Sequence, residues 1–403
     1  MYLAVPAVQR AASLREVRQV KAANSILSSY GTTVFEIMSR LAMEHGAINL
    51  GQGFPDTDGP LEVRRKAAEA LLESPNQYPP MMGLPALRQA VAAHNKRFYD
   101  LDIDWQSEVM VTSGATEALA DCLMALIEPG DEVVLIEPLY DCYLPIVRRA
   151  GGIPRLVRVE PPDWTLPRQA LEEAFSERTK LILLNNPMNP AAKVFTRDEL
   201  SFIADLVTRN DAYAVCDEVY EHIVFDGRGH IPLMTLPGIR ERCLRIGSAG
   251  KTFSLTGWKV GYITASPELL APVSKSHQFV TFTTPPNLQH AVAYGLELDQ
   301  SYFDGLGSEM QAKRDRIAGG LKDVGFGVID CEGTYFITAD IRPLGFTGND
   351  VEFCRHITLE AGVTTVPVSA FYQSDAADHY VRFCFCKRDE VLDEAVARLK
   401  AIF

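Results

Sequence analysis

From Val109 onward the chain repeats one pattern: a short apolar run, a break rich in glycine or polar residues, then a longer stretch with apolar positions at helical spacing. Short apolar runs bounded by turn signals read as buried strands, and the longer stretches read as helices. The strands expected on this basis are Val109–Thr112, Glu132–Glu137, 181–184, 212–216 and 243–246, with helical stretches such as 196–208 between them. That alternation implies crossover connections and a largely parallel sheet flanked by helices. Upstream, helical patterns cover 61–72 and 85–98. Downstream, a helical region at 287–321 precedes strand candidates at 335–339, 363–367 and 380–385 and a closing helix at 390–402. The expectation is an α/β protein with a large domain built on a mostly parallel central sheet, plus a smaller α+β domain formed by the two chain ends. Residues 1–50 form an N-terminal arm and part of the small domain, 51–300 the large domain, and 301–403 the small C-terminal domain.

The places where the strands stop carry the chemistry. In open parallel sheets ligands gather at the carboxyl ends of the strands. The first run ends in Ser113-Gly114-Ala115-Thr116, the second in Pro138 with Tyr140 and Tyr143 beyond it, and the third in Asn185-Asn186-Pro187-Met188-Asn189-Pro190. The fourth ends in Asp217-Glu218-Val219-Tyr220 and the fifth in Ser248-Ala249-Gly250-Lys251. Any one of these could be ordinary turn chemistry, but together they describe one lined cleft.

Composition narrows what the cleft can serve. The 403 residues carry 39 basic and 52 acidic side chains, a net charge of -13, which argues against nucleic acid or an anionic membrane as partner. No apolar run approaches the roughly 18–20 residues a membrane span needs. The eight cysteines show no Cys-x-x-Cys spacing and the histidines no zinc-ligand spacing, so no metal is expected and the thiols read as reduced, as in a cytoplasmic protein. Arg10, Arg15, Arg18 and Lys21 among several serines resemble a transit peptide, but an amphipathic arm over about 13–23 explains the same residues.

Lys251 is the natural centre of the cleft. A lysine amine among small residues can form a Schiff base with an aldehyde, and its small neighbours admit a bulky planar partner. Gly250-Lys251-Thr252 also invites a phosphate-loop reading, but the glycine required six positions before the lysine is Arg245, so that reading fails. For a planar aldehyde with a phosphate tail, the strand ends supply matching roles. Gly114, Ala115 and Thr116 offer helix-start N–H donors to the phosphate, closed by Ser248 and Lys259. Tyr140 stacks on the ring, Asp217 holds a ring nitrogen protonated, and Asn189 and Tyr220 reach a phenolic oxygen. The cofactor so described is pyridoxal 5'-phosphate. Arg382, between apolar neighbours in a strand candidate, needs a carboxylate, whether of the protein or of a ligand.

In the order 185–190, 217–220, 248–251 and 382, the elements Asn-x-Pro-x-Asn-Pro, Asp-Glu-x-Tyr, Ser-x-x-Lys and the late arginine resemble class I/II aminotransferases of the fold type I pyridoxal phosphate enzymes, over nearly the whole chain. Asn49 to Asp56, Asn76-Gln77-Tyr78, Gly257-Trp258-Lys259-Val260-Gly261-Tyr262 and Cys331-Glu332-Gly333-Thr334-Tyr335-Phe336 are similar to the branch containing methionine and kynurenine aminotransferases, the latter also cysteine-conjugate β-lyases. The resemblance implies that Gly53, Asn189 and Arg382 hold the substrate carboxylate and that Tyr78 reaches the phosphate of a neighbouring subunit. It further implies that Phe35, Phe336 and, from that neighbour, Phe282 line the side-chain pocket of a homodimer with shared active sites. Phe35 stands where kynurenine-type enzymes tend to have tryptophan, and Thr283 where some have histidine, which favours methionine or an aromatic amino acid as donor and a 2-oxo acid as acceptor. The alternatives are carbon–sulfur β-elimination on the same cofactor and a non-enzymatic ligand sensor.

Overall fold

The computed structural model describes residues 21–374 and 377–403; the expected arm at 13–23 falls almost wholly outside them. Seven strands form the central sheet: β1 Val109–Thr112, β2 Glu132–Glu137, β3 Ile153–Arg158, β4 Thr179–Asn185, β5 Tyr213–Asp217, β6 Cys243–Ser248 and β7 Gly261–Thr264. Their spatial order is β1-β7-β6-β5-β4-β2-β3, and every pairing is parallel except those of β7, which runs antiparallel to both β1 and β6. The inner strands are buried along their length, as a sheet covered by helices on both faces requires.

Two strands of this sheet do not announce themselves in the sequence. β3 is one of the two edge strands, and its Pro154, Arg155 and Arg158 give it an exposed, broken pattern of the kind edges tolerate. β7 follows directly on the Gly257-Trp258-Lys259 turn and is too short to show a period. Because β7 is reversed, its first residue, Gly261, sits opposite Thr112 and Ser248, the last residues of β1 and β6. The ends of the five strands β1, β2, β4, β5 and β6 and the start of β7 therefore share one rim.

The helix Arg197–Arg209 opens with a reciprocal capping box between Thr196 and Glu199, which fixes where the chain leaves the loop after Asn189. The expected helix over 287–321 is two helices, Pro286–Leu296 and Gln300–Val324; the second starts afresh at Asp299, whose Oδ1 accepts from the Ser301 N–H at 2.9 Å.

The smaller body joins both chain ends. A four-stranded antiparallel sheet runs in the order Val366–Pro367, Tyr380–Cys384, Phe336–Asp340, Gly327–Val328. Met38 and Leu50 from the start of the chain pack in one core with Phe336, Phe353, Phe383 and Leu392. The single strand expected over 363–367 is divided: Val363–Thr364 pairs in parallel with Ile48–Asn49, while Val366–Pro367 pairs with the Tyr380–Cys384 strand. This break stitches the early chain to the late chain and delivers Gly51 to the strand that carries Arg382. Among the described residues, no helix is long and apolar enough to cross a membrane.

Candidate active site

The rim of the sheet opens into a cavity lined by Gly114, Ala115, Thr116, Tyr140, Asn185, Asn189, Asp217, Tyr220, Ser248, Lys251 and Lys259. Every residue that the strand ends offered to a planar phosphorylated aldehyde lines this one cavity. Lys251 lies in the short helix Ala249–Thr252 that follows β6. Its Nζ donates to the Tyr335 hydroxyl at 2.7 Å, and that hydroxyl donates onward to the Gly53 carbonyl at 2.8 Å. Burial pulls the Lys251 amine below the ordinary lysine value, assisted by the nearby Arg382 charge and opposed by Asp217. The lowered pKa makes the free amine that a carbonyl needs easier to reach.

Asp217 closes β5 and is 5 % exposed. Its Oδ2 accepts from the Tyr143 hydroxyl at 2.6 Å, while its Oδ1 is buried with no partner among the described residues. Burial raises this carboxyl above the usual carboxylate range, against the pull of Tyr143, the Val219 N–H and Lys251. A buried acceptor without a donor is costly, and a ring N–H brought to Oδ1 removes that cost and holds the carboxylate charged.

At the other end of the cavity the first turn of the Gly114–Leu126 helix presents its N–H groups. Gly114 has φ 78°, and a Cβ there would lie 3.3 Å from Lys259 Cε. A Cβ on Gly261 would fall 2.6 Å from the Gly114 carbonyl carbon and 2.8 Å from the Ala115 nitrogen. The cradle exists because β7 begins with a residue that has no side chain. These features fit pyridoxal phosphate: a lysine for the aldehyde, an orphaned carboxylate for the ring nitrogen and an N–H-rich, lysine-flanked cradle for the phosphate.

A second cavity adjoins the first, sharing Tyr140, Asn189, Tyr220 and Lys251 and adding Phe35, Gln52, Gly53, Phe54, Asp141, Phe336 and Arg382. Arg382 is 1 % exposed. Its Nη1 donates to Asn189 Oδ1 at 2.8 Å and its Nη2 to the Gly51 carbonyl at 2.7 Å, while Nε has no partner among the described residues. Among the described residues no carboxylate pairs with it. Burial lowers its pKa to about 10, so it remains a cation, and a buried cation of this kind calls for an anionic ligand. Gly51 is its backbone anchor, and Gly53 lines the same cavity. Gly53 faces Phe336, whose Cζ would stand 2.4 Å from a Cβ at this position.

Tyr78 and Phe282 lie outside both cavities of their own chain. They pack edge to face at 5.5 Å, and Tyr78 is 83 % exposed. Three residues had no assigned role in the sequence: Tyr335, bonded to Lys251, and the cavity residues Tyr143 and Asn185, the Nδ2 of Asn185 donating to the Asp217 carbonyl at 3.0 Å and its Oδ1 accepting from the Asn189 N–H at 2.7 Å. Each sits within the motif of an assigned residue, but a hydroxyl or amide acting through a neighbour has no spacing signature.

Comparison with known proteins agrees with this geometry. The family model for aminotransferases of class I and II matches residues 45–399. The probable N-succinyldiaminopimelate aminotransferase DapC of Mycobacterium tuberculosis H37Rv is 43% identical over 94% of this chain and 98% of its own. The solved structure of the N-succinyldiaminopimelate aminotransferase from that species superimposes with a TM-score of 0.92 over 95% of this chain and 100% of that one. The methionine aminotransferase of Escherichia coli K12 is 38% identical over 94% of this chain and 98% of its own. Mouse kynurenine–oxoglutarate transaminase 3 is 39% identical over 90% and 86%.

Proposed function

This chain belongs to the class I and II aminotransferases, and we propose that within that family it moves an amino group between L-methionine or an aromatic L-amino acid and a 2-oxo acid. It is a pyridoxal phosphate-dependent transferase. When bound, pyridoxal phosphate supplies an aldehyde for the amino group and a ring that accepts electron density as the α-carbon gives up its proton.

The chain's own residues supply the rest. Arg382, held by Asn189 and Gly51, binds the substrate carboxylate and so fixes the α-carbon against the Lys251 side of the cavity. Lys251, whose amine is kept weakly basic by burial, moves the proton at the α-carbon. Asp217 keeps the ring nitrogen protonated, with Tyr143 holding the carboxylate in place. The alternating half-reactions use one pocket, a ping-pong scheme.

One observation carries the substrate reading. The outer cavity is walled by Phe35, Phe54, Phe336 and Tyr140, and among the described residues Arg382 is its one arginine, with Lys251 the other cation and Asp141 the one acid. An apolar wall with a single carboxylate clamp suits a monocarboxylic amino acid with an apolar side chain. A second reading has a specific feature in its favour. Past Phe35, Tyr140 and Asp141 a further groove runs to Tyr30, whose hydroxyl accepts from Arg148 Nη1 at 3.0 Å, and this added length suits a longer donor such as the one named for the tuberculosis relative.

Exposed Leu72, Phe279 and Val280 lie close in sequence to Tyr78 and Phe282, and a homodimer that buries them and carries the two aromatic residues into its partner's site fits this surface. We place the enzyme in the cytoplasm on its reduced-thiol composition. An amino-donor panel on the cofactor-loaded protein tests the reading: turnover with methionine or phenylalanine above that with dicarboxylic donors supports it, and exclusive turnover of an N-succinylated diamino acid replaces it. Release of pyruvate and ammonia from a cysteine conjugate without an oxo acid would mark β-elimination.

A further inference from the structure

Behind the phosphate cradle lies a buried charged cluster that the transamination chemistry does not use. His277, fully buried in the last turn of the Pro267–Val280 helix, directs Nδ1 at Glu117 Oε1, 2.8 Å away, and Nε2 at the Met81 carbonyl, 3.0 Å away. A carboxylate and a carbonyl only accept hydrogen bonds, so both ring nitrogens must carry protons and the ring is an imidazolium. The other carboxylate oxygen of Glu117 accepts from the N–H of Ser113, the residue that caps the Gly114–Leu126 helix. The Met81 side of the ring holds the turn that carries Tyr78, and the His277 carbonyl accepts from the Phe282 N–H at 2.8 Å.

We propose that His277 is a positioning residue for the cofactor: its doubly protonated ring braces Glu117 against the start of the phosphate-binding helix and ties that helix to the segments bearing Tyr78 and Phe282. The inference rests on the placement of pyridoxal phosphate in the Lys251 cavity. A neutral ring would turn a lone pair toward either the Met81 carbonyl or the Glu117 carboxylate, and the brace would open on that side. Burial alone would drive the ring neutral, but Glu117 and Met81 outweigh it and raise its pKa above the ordinary histidine value.

The charged groups facing the ring come from one helix. Glu117 is one, and Asp121 is the other, its Oδ2 3.7 Å from Nδ1 and its Oδ1 accepting from Ser276 at 2.8 Å. The Met81 turn presents only its carbonyl, and the ring's own helix presents no charge to it. Burial raises Asp121 to about 7, so it ionises through neutrality and then favours the proton on His277. The brace is therefore complete in the neutral range and lost as pH rises through the raised pKa of His277.

The test uses pyridoxamine phosphate, which lacks the aldehyde and so does not report Lys251 chemistry, titrated into apoenzyme from about pH 7 to about pH 10, above the second phosphate ionisation. Wild-type affinity is expected to fall by about tenfold or more across that range, and His277→Gln to bind about tenfold more weakly at neutral pH and to lose less than wild type between the two ends of the range. Equal affinity and an unchanged pH profile in a folded His277→Gln variant would overturn the proposal. If that variant does not fold, the imidazole nitrogen shifts of histidine-labelled wild-type apoenzyme decide: a resonance pair protonated at both nitrogens near neutrality supports the brace, and a neutral buried ring refutes it. Failure of wild-type apoenzyme to bind pyridoxamine phosphate at any pH would instead count against the cofactor placement.

Discussion

The guanidinium of Arg382 lies 3.8 Å above the ring of Phe336, with Asn189 and Gly51 holding its two outer nitrogens. Phe336 and Arg382 come from paired strands of the small sheet, while Asn189 comes from the loop after β4 of the large one. In the function proposed here carboxylate binding and side-chain selection meet in one stacked pair, and a flat delocalised cation is what both the ring and a two-pronged carboxylate contact need.

Replacing that cation with one of a different shape separates charge from geometry. Arg382→Lys keeps the charge but forfeits the fork and the stacking, and it is expected to weaken amino-acid binding by about 2–4 kcal/mol, in the range measured for truncating one partner of a buried charge pair. The rise falls mainly on KM for every donor, with cofactor absorbance unchanged. Steady-state kinetics across several donors checks it, and a selective effect on one donor would show that Arg382 contacts the side chain rather than the carboxylate.

Gly261→Ala places a Cβ within 3 Å of two backbone atoms of the cradle, at 2.6 and 2.8 Å, neither of which can swing aside as a side-chain tip could. Strain from such overpacking is typically about 1–3 kcal/mol. It is directed at Gly114 and Ala115, so the expected outcome is faster loss of pyridoxal phosphate on dialysis and a lower Tm in the holoenzyme. Intact retention of cofactor would mean the cradle moves as a unit without opening.

Lys251 gives a pH-dependent prediction whose sign follows from its lowered pKa. Between that value and the ordinary lysine value of about 10.4 the unfolded chain binds a proton that the folded chain does not, so stability rises with pH through this window. Below the window both states are protonated and the folded apoenzyme bears the full penalty of a buried charge. Lys251→Met removes the penalty: its apoenzyme should melt above wild type at neutral pH, with the gap closing as pH approaches the alkaline end of the window. Thermal scans of the two apoproteins in a pH series measure this, and a gap independent of pH would assign the difference to packing.

How much of the molecule is legible in its sequence is clear from particular residues. The inner strands were visible because burial on both faces leaves uninterrupted apolar runs, and their endings pointed to Lys251, Asp217, Asn189 and the Gly114 helix start, which line one cavity. β3 and β7 were not visible: an edge strand carries arginines and proline, and a four-residue strand after a turn has no period to detect. The partition of 363–367 between two sheets was hidden for a related reason, since pairing partners far apart in the chain leave no local trace. Arg382 was legible as a strand arginine needing a carboxylate, but its Gly51 anchor was not, because a backbone carbonyl has no residue signature. Tyr335 illustrates the same limit at the centre of the site, where it was one aromatic in a motif and turned out to be the hydrogen-bond partner of Lys251.

That partnership supports a last prediction. The Tyr335 hydroxyl takes a proton contact from Lys251 Nζ and gives its own to the Gly53 carbonyl, so it fixes where the amine points while anchored to the loop that lines the second cavity. Its hydroxyl proton is not available to the reaction, because burial raises its pKa and Gly53 already accepts it. Tyr335→Phe therefore removes orientation rather than an acid or base. Loss of one neutral hydrogen bond is worth about 0.5–1.5 kcal/mol, and kcat is expected to fall by about threefold to tenfold, with Arg382-dependent substrate affinity little changed. The pH profile of kcat/KM should keep its shape, since no titrating group is deleted. A profile that lost one limb in Tyr335→Phe would instead make the hydroxyl a proton-transfer group, sharing with Lys251 the movement of the α-proton.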